Sequence, residues 1–480
     1  MDNRSNTTSL HSWTIIILGV TGDLARKKIL PAICSLVTEH LERNQKCNFI
    51  LIGAAKDHTT MHELLEYEEV CSKNTQSTSS GWEYLKNISY YISLDFNKPE
   101  DFKALATVIE KHEHEHNLPG NRLVYLATAA DFYCDITTNL AQAGIVERQK
   151  NNGKKQVIVY EKPFGRDLQT ARKINLCIEK YVDEEQIYRV DHYLTKTLVS
   201  SLALIRFSNV FFEPIWNAKY IDQVQIIFNE TIGIDNRGSF YDNYGALKDV
   251  MQNHMLQLLS LIAMECPQSL DGNAISLAKS EVLKKARVVT GLLGQYTGYT
   301  TESHVRPDSK TETLAVLKCF IDTPRWQEVP FYLKTGKCLQ TKATAIHVVF
   351  KPVSQALVGA SGTFAPNTLT LHIAPDSSLS VTLNAQNTPN NTSITNCVES
   401  TLCYTCNFYD HMPHTYQRLL LDILSGDSSI TVHSHEIEYA WQVIEHVSAL
   451  QLPLYTYACG SSGPEQLALF SQVNGVDWLA

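Results

Sequence analysis

The stretch "TIIILGVTGDLARKKILPAI", Thr14 to Ile33, limits the possible folds more than any other: an apolar run, a glycine turn and a basic helix follow one another without a gap. A short run that is apolar at every position is a strand buried on both faces, which requires helices above and below it and parallel neighbours beside it. Gly19, Gly22 and Ala25 have the spacing of a dinucleotide-binding turn, in which small residues let the backbone approach a pyrophosphate at a helix N-terminus. Arg26, Lys27 and Lys28 in the helix strengthen what glycine spacing alone leaves weak.

Three further runs repeat the pattern: "CNFILIGAAKD", "NRLVYLATAA" and "KKQVIVYEKPFG", with helical stretches between them. Strands alternating with helices predict a Rossmann-type, doubly wound parallel sheet. Ligands of such sheets bind beyond the carboxyl ends of the strands, where Ala127 to Ala130 and Glu161 to Gly165 lie. The second strand should end near an adenosine ribose. An acidic residue there suits NAD and a cation accommodates the 2'-phosphate of NADP; Lys56 followed by Asp57 points to NADP and leaves NAD open. Taken alone, Lys56 reads equally as a solvated lysine at a strand end. Lys162, held extended by the proline after it, is placed to orient both a cofactor amide and a substrate hydroxyl; the other reading is an exposed loop lysine.

From about residue 200 the pattern changes. "KYIDQVQIIFNE", "TAIHVVFKPV", "NTLTLHIAPD" and "SLSVTLNAQ" alternate as strands of a mainly antiparallel sheet, with helical patterns at 245–264, 413–425 and 434–449. At 480 residues the chain is too long for one ordinary core. The net charge of -9 argues against nucleic acid as the main partner. No apolar run approaches the roughly 20 residues that span a bilayer, and the N-terminus lacks a cleavage-type signal, so a cytoplasmic protein is expected. The twelve cysteines are scattered and read as reduced thiols. Cys397, Cys403, Cys406, His411 and His414 are spaced too tightly for a zinc finger, and no metal is expected. The N-x-S/T matches at Asn6, Asn87 and Asn229 are what chance supplies.

Two segments carry chemistry beyond the nucleotide turn. If "RVDHYLTK", Arg189 to Lys196, turns helical at His192, then His192, Tyr193 and Lys196 share one face with three donors and a positive charge. The plainer reading is a polar helix start with Asp191 as its N-cap and Lys196 solvated. In "GALKDVMQNHMLQLLSLIAM", His254 lies on the line Val250, His254, Leu258, Ile262. A hydrogen-bonded core histidine is the commoner occupant of such a position, and a general base the sharper reading. Burial lowers a histidine pKa and a carboxylate raises it, so a His and Asp pair can be tuned close to neutrality.

Set in order, "GVTGDLARKKILPA", "EKPFGRDL", "RVDHYLTK", "RFSNVFFEPIWN", "NRGSFYDNYGALKDVMQNHMLQ", "LGQY", "VPFYLKTGK", "YQRLLLDIL" and "GSSGP" run from residue 13 to about 465. Together they resemble the glucose-6-phosphate dehydrogenase family. The resemblance implies a loose tail at 1–12, a dinucleotide-binding domain at 13–191 and a substrate and dimerisation β+α domain at 192–480. It implies oxidation of the C1 hydroxyl of glucose 6-phosphate to a δ-lactone with hydride transfer to NADP, the opening of the oxidative pentose phosphate route, in a homodimer or homotetramer. By the same resemblance His254 is the general base and Asp191 its orienting carboxylate. His192, Tyr193 and Lys196 match the sugar-phosphate site, and Lys162, Glu230, Asp249 and Lys337 match positions that hold hydroxyls and phosphate. Gly19, Thr21, Gly22, Asp23, Leu24, Lys28, Lys56 and Lys162 match the cofactor site.

The chain departs from the family pattern at several places. Thr195 and Thr197 stand for a Gly and a Glu, so a Gly conformation at Thr195 would displace Lys196. His372 and Ala374 stand where Arg and Gln are common, which touches one sugar contact and weakens the case for a second, structural NADP. Lys56 in place of Arg gives up a bidentate grip on phosphate. Two other readings remain: an oxidoreductase of an unphosphorylated sugar or polyol, and a nucleotide-binding homologue without turnover.

Overall fold

A computed structural model describes residues 12–45, 47–71, 79–148, 153–353, 364–386, 395–403 and 415–479. The expected tail at 1–12 therefore lies almost wholly outside the described residues, as do Asn6, Cys406, His411 and His414 of the readings above. The described chain forms two compact units. The first holds the chain as far as Thr195, Asp271–Asn273 and the segment ending at Ser434; the second holds the rest.

In the first unit, β1 (Trp13–Leu18), β2 (Phe49–Ala55), β3 (Ser89–Ser93), β4 (Asn121–Leu126), β5 (Gln156–Glu161) and β6 (Ile187–Val190) make a six-stranded parallel sheet ordered β3-β2-β1-β4-β5-β6. Every residue of β1 and β2 is buried, which is why these strands read as unbroken apolar runs. β3 and β6 went unassigned from sequence: β3 is half-buried and polar at both ends, and β6 carries Arg189 in its centre. The chain order reverses between β1 and β4, so the carboxyl ends of those strands flank the crevice where a doubly wound sheet takes its ligand. The helix Thr415–Ser425 packs on the helix Leu30–Glu42 of this unit. Thr431 bridges Val190, and the Val432 amide donates to the Arg189 carbonyl at 3.0 Å.

The cysteine expectation needs correction, because Cys134 and Cys177 form a disulfide, Cα to Cα 5.7 Å. They lie on the neighbouring helices Tyr133–Gln142 and Leu168–Ile178. A separation of 43 residues in the chain hides this adjacency.

The second unit holds a nine-stranded sheet of β7 (Ile221–Asn229), β8 (Ala286–Tyr296), β9 (Leu314–Ile321), β10 (Phe331–Gly336), β11 (Ala343–Phe350), β12 (Thr368–Ala374), β13 (Ser378–Gln386), β14 (Thr395–Cys403) and β15 (Leu454–Tyr457). Their order is β14-β13-β12-β11-β7-β10-β9-β8-β15. The sheet is mainly antiparallel; only β7 with β10 and β8 with β15 run parallel. The parallel pair at its centre matters most, because it brings two strand ends to one place.

Candidate active site

The nucleotide turn is built by two glycines. Gly19 has φ +85°, and a Cβ there would lie 2.6 Å from the Ala127 carbonyl oxygen, so only glycine fits between the ends of β1 and β4. The Gly22 amide donates to the Gly19 carbonyl at 3.0 Å, and the helix begins directly after it, at Asp23. A glycine cradle opening onto a helix start suits a pyrophosphate. Thr21 and Leu24 are half-buried beside it, Asp23 and Lys28 exposed; Asp23 pairs with Lys27 at 2.9 Å. Lys56, beyond the end of β2, is 81% exposed and reaches Asp95 at 3.3 Å, which helps hold that carboxyl below its usual range, behind the Asn97 amide as the main cause.

Lys162 follows β5, with a cis bond to Pro163. The residue before it is anchored in a way the sequence did not suggest. The buried Glu161 carboxylate accepts from the Tyr125 hydroxyl at 2.5 Å and from Tyr416, while its carbonyl accepts from Tyr133 at 2.6 Å. Burial pushes the Glu161 pKa up to about 7, against the pull of those donors. Tyr416 comes from the helix Thr415–Ser425, so no local pattern reveals the contact.

Residues His192 to Thr195 form turns and Lys196 a bend, which corrects the expected helix start; a helix begins only at Thr197. The buried Asp191 carboxylate accepts from the Tyr193 amide at 2.9 Å, and the Leu194 amide donates to the Asp191 carbonyl at 2.9 Å. A short polar side chain that caps its own backbone competes with helix. The His192 and Tyr193 rings are 5.0 Å apart. Thr195 does not adopt left-handed backbone, and its hydroxyl donates to the His192 carbonyl at 2.9 Å. The Gly-to-Thr departure therefore closes the turn rather than straining it.

In the second unit Lys196 is half-buried, and burial, then Lys342, lowers its pKa. The next residues, Thr197–Ser200, form a short helix that packs on β12. On β12, His372 is half-buried against His347, and Ala374 ends the strand.

β7 and β10 run parallel with Asn229 opposite Gly336, so the residues just beyond them, Glu230 and Lys337, meet. Lys337 Nζ lies 2.6 Å from Glu230 Oε2, with the lysine side chain 7% exposed. The Tyr241 ring lies beneath that ammonium, 5.4 Å to its centroid. The Tyr241 hydroxyl is buried without a hydrogen-bond partner among the described residues.

The helix expected over 245–264 is interrupted. Gly245 breaks it with φ +64°, and Leu247–Met255 is wound as a π-helix before α-helix resumes at Leu256. The wider winding moves His254 off the line drawn through Val250 and Leu258, since π-helical bonds span five residues. His254 is 3% exposed and lies parallel to the Phe228 ring of β7, centroids 6.0 Å apart. Asp249, also buried, accepts from Arg237 at 3.2 Å. Glu312 anchors the start of this helix: its carboxylate accepts the Leu247 amide at 3.0 Å and its carbonyl the Ala246 amide at 3.0 Å. Burial pushes the Glu312 pKa up to about 7. Arg237, Tyr241 and Glu312 were missed from sequence; "SKTET" reads as a loop, and only the fold brings it under the helix.

A doubly wound unit with a glycine cradle, joined to a mixed-sheet unit carrying a buried histidine and a buried lysine paired with a half-buried glutamate, defines a nicotinamide-dinucleotide oxidoreductase of two-unit build. The model of the glucose-6-phosphate dehydrogenase NAD binding domain matches residues 16–201, and that of the C-terminal domain matches 203–479. Curated relatives include the glucose-6-phosphate 1-dehydrogenases of Chlamydia muridarum (33% identical, 94% of this chain and 93% of that one) and Bacillus subtilis (32%, 97% of each). The chloroplastic enzyme of Spinacia oleracea is 33% identical over 97% of this chain and 83% of its own. Among solved structures, a glucose-6-phosphate dehydrogenase in complex with its substrate glucose-6-phosphate superposes with TM-score 0.87 at 29% identity, covering 98% of this chain and 99% of that one. The Mycobacterium avium glucose-6-phosphate 1-dehydrogenase superposes with TM-score 0.83 at 31% identity, with the same coverage. The chain belongs to the glucose-6-phosphate dehydrogenase family.

Proposed function

We infer that this chain oxidises the C1 hydroxyl of glucose 6-phosphate to the 1,5-lactone, with NADP as the preferred oxidant, and so opens the oxidative pentose phosphate route. The observation that carries the reading is the second unit's pairing of a buried imidazole, His254, with the Glu230–Lys337 pair set at two parallel strand ends, in a chain whose family match runs nearly end to end.

In this reading His254 takes the proton from the C1 hydroxyl, and the Asp191 carboxylate orients the imidazole and stabilises its cation. Lys162, Glu230, Asp249 and Lys337 hold the sugar hydroxyls and phosphate in register. His192, Tyr193 and Lys196 bind the phosphate; charge-assisted bonds of about 1.5 to 3 kcal/mol each let two or three of them separate glucose 6-phosphate from glucose. The turn at Gly19, Thr21, Gly22, Asp23 and Leu24 holds the pyrophosphate, with Lys28 and Lys162 as further contacts. Lys56 faces the 2'-phosphate, and its single ammonium leaves NAD as a usable second oxidant. When bound, the nicotinamide supplies the hydride acceptor.

No helix among the described residues is long and apolar enough to cross a membrane, in keeping with a cytoplasmic enzyme. Leu383, Val398 and Leu402 on β13 and β14 are each 50% exposed, which supports a homodimer formed on that part of the sheet, or a tetramer built from it.

The test is the initial rate of absorbance rise at the reduced-nicotinamide band, with glucose 6-phosphate and either NADP or NAD, and free glucose as control. A rate that depends on the phosphosugar and is higher with NADP is expected. Equal rates on free glucose would favour the unphosphorylated-sugar reading, and no rate from folded protein would favour the homologue without turnover.

A further inference from the structure

Two cysteines play no part in the reaction above. Cys338 follows Lys337 at the end of β10, in left-handed backbone with φ +52°, and is buried; Cys459 lies on the loop after β15 and is exposed. Their backbones are laced together. The Gly460 amide donates to the Cys338 carbonyl at 2.7 Å, the Gln340 amide donates to the Ser461 carbonyl at 2.9 Å, and Leu339 bridges Ser461 in parallel. Cys459 lies near enough to Cys338 to add to the rise that burial causes in its thiol pKa. A disulfide requires Cα atoms about 4.4 to 6.8 Å apart with side chains directed together, and the bonds at Gly460 and Ser461 hold the two backbones side by side where such a bridge would form.

We propose that Cys338 and Cys459 form a thiol–disulfide modification site, oxidised by a low-molecular-weight disulfide and reopened by thiols. The Cys459 thiolate attacks one sulfur of the small disulfide, giving a mixed disulfide and releasing one small thiol. The Cys338 sulfur then attacks Cys459 Sγ, losing its proton to solvent, and the second small thiol leaves. Two protein thiols are oxidised and one small disulfide is reduced to two thiols. Entry is at Cys459 because it is the exposed member. Burial pushes the Cys338 thiol up to about 12, so Cys338 is the slower, resolving partner, and closure accelerates as the pH rises.

The site borders the Lys337–Glu230 pair. The Lys337 carbonyl accepts from the Tyr457 hydroxyl at 2.7 Å, so the two residues that would be bridged are the immediate neighbour of Lys337 and a close neighbour of the tyrosine that fixes it.

The experiment treats the reduced full-length protein with oxidised glutathione, blocks remaining thiols by alkylation and maps the peptides by mass spectrometry. A cross-linked peptide joining Cys338 to Cys459 is expected, lost on adding dithiothreitol. Cys71 and Cys266, which are exposed and lie outside the pair, should carry glutathione instead. In Cys338→Ser the mixed disulfide should be trapped on Cys459, and in Cys459→Ser Cys338 should remain a thiol. Alkylation of both Cys338 and Cys459 after oxidation, or glutathione retained on Cys459 of the unaltered protein at alkaline pH, overturns the proposal; so does glutathione on Cys338 in Cys459→Ser.

Discussion

Replacing Glu312 with Gln isolates what a buried carboxyl contributes beneath the helix that carries Asp249 and His254. The pKa of Glu312 rises from 4.5 to about 7, chiefly through burial, with the Leu247 amide, its own amide and Lys248 pulling the other way. Because the folded value is the higher one, the folded protein holds this proton more tightly than the unfolded chain does. The resulting stability is present in full below pH 4.5 and is lost as the pH rises through about 7. At about 1.4 kcal/mol per pH unit the loss comes to about 3 kcal/mol by pH 8. Glutamine keeps an acceptor for the Leu247 amide and does not ionise. The variant should therefore lose less stability than the unaltered protein between pH 5 and pH 8. Some pH dependence should remain in the variant, because Glu161 is raised to about 7 by burial in the same way. The assay is thermal unfolding at pH 5, 6.5 and 8, followed by circular dichroism at fixed ionic strength. Parallel loss of Tm with pH in the two proteins would show that Glu312 is ionised throughout and that the burial argument is wrong.

Four shorter predictions follow from the proposed site. His254→Ala should lower kcat by roughly 100- to 10,000-fold with little change in KM; near-normal turnover removes His254 from the mechanism. Lys196→Ala should raise KM for glucose 6-phosphate and leave any rate on free glucose unchanged, and an equal penalty on both sugars would show that Lys196 does not read the phosphate. Lys56→Ala should raise KM for NADP by roughly tenfold while sparing NAD, as expected for one lost charge-assisted contact, and identical shifts for both nucleotides would place the 2'-phosphate elsewhere. Gly19→Ala puts a Cβ 2.6 Å from the Ala127 carbonyl oxygen and should weaken binding of either nucleotide, read by fluorescence of the bound reduced form; unaltered binding would show that the turn is not the cradle.

Local pattern was enough wherever the surroundings of a segment are uniform. β1 and β2 are buried on both faces and read as apolar runs, and the glycine turn was legible because its backbone admits no larger residue. "VDHYLTK" was legible as chemistry but not as shape. Its residues were singled out as a helical face, whereas the Asp191 carboxylate caps the Tyr193 amide and holds the segment as turns. The helix around His254 was placed along the chain, yet neither its break at Gly245 nor its anchor on Glu312, from a distant loop, was.

What the sequence determined by itself was therefore the kind of fold and the kinds of residue available: a nucleotide-binding half from strand and glycine periodicity, a mainly antiparallel half from alternation, and a family from the order of motifs. Only the tertiary structure decided which of those residues meet. Glu230 and Lys337 are far apart in the chain and pair because β7 and β10 run parallel in one register. Tyr416 reaches Glu161 because its helix folds back into the first unit. The Cys338 carbonyl accepts the Gly460 amide because the loop after β15 closes on the end of β10. Periodicity reports the environment of a segment averaged over a few residues, whereas a contact between distant segments depends on strand order and register, which local pattern does not encode.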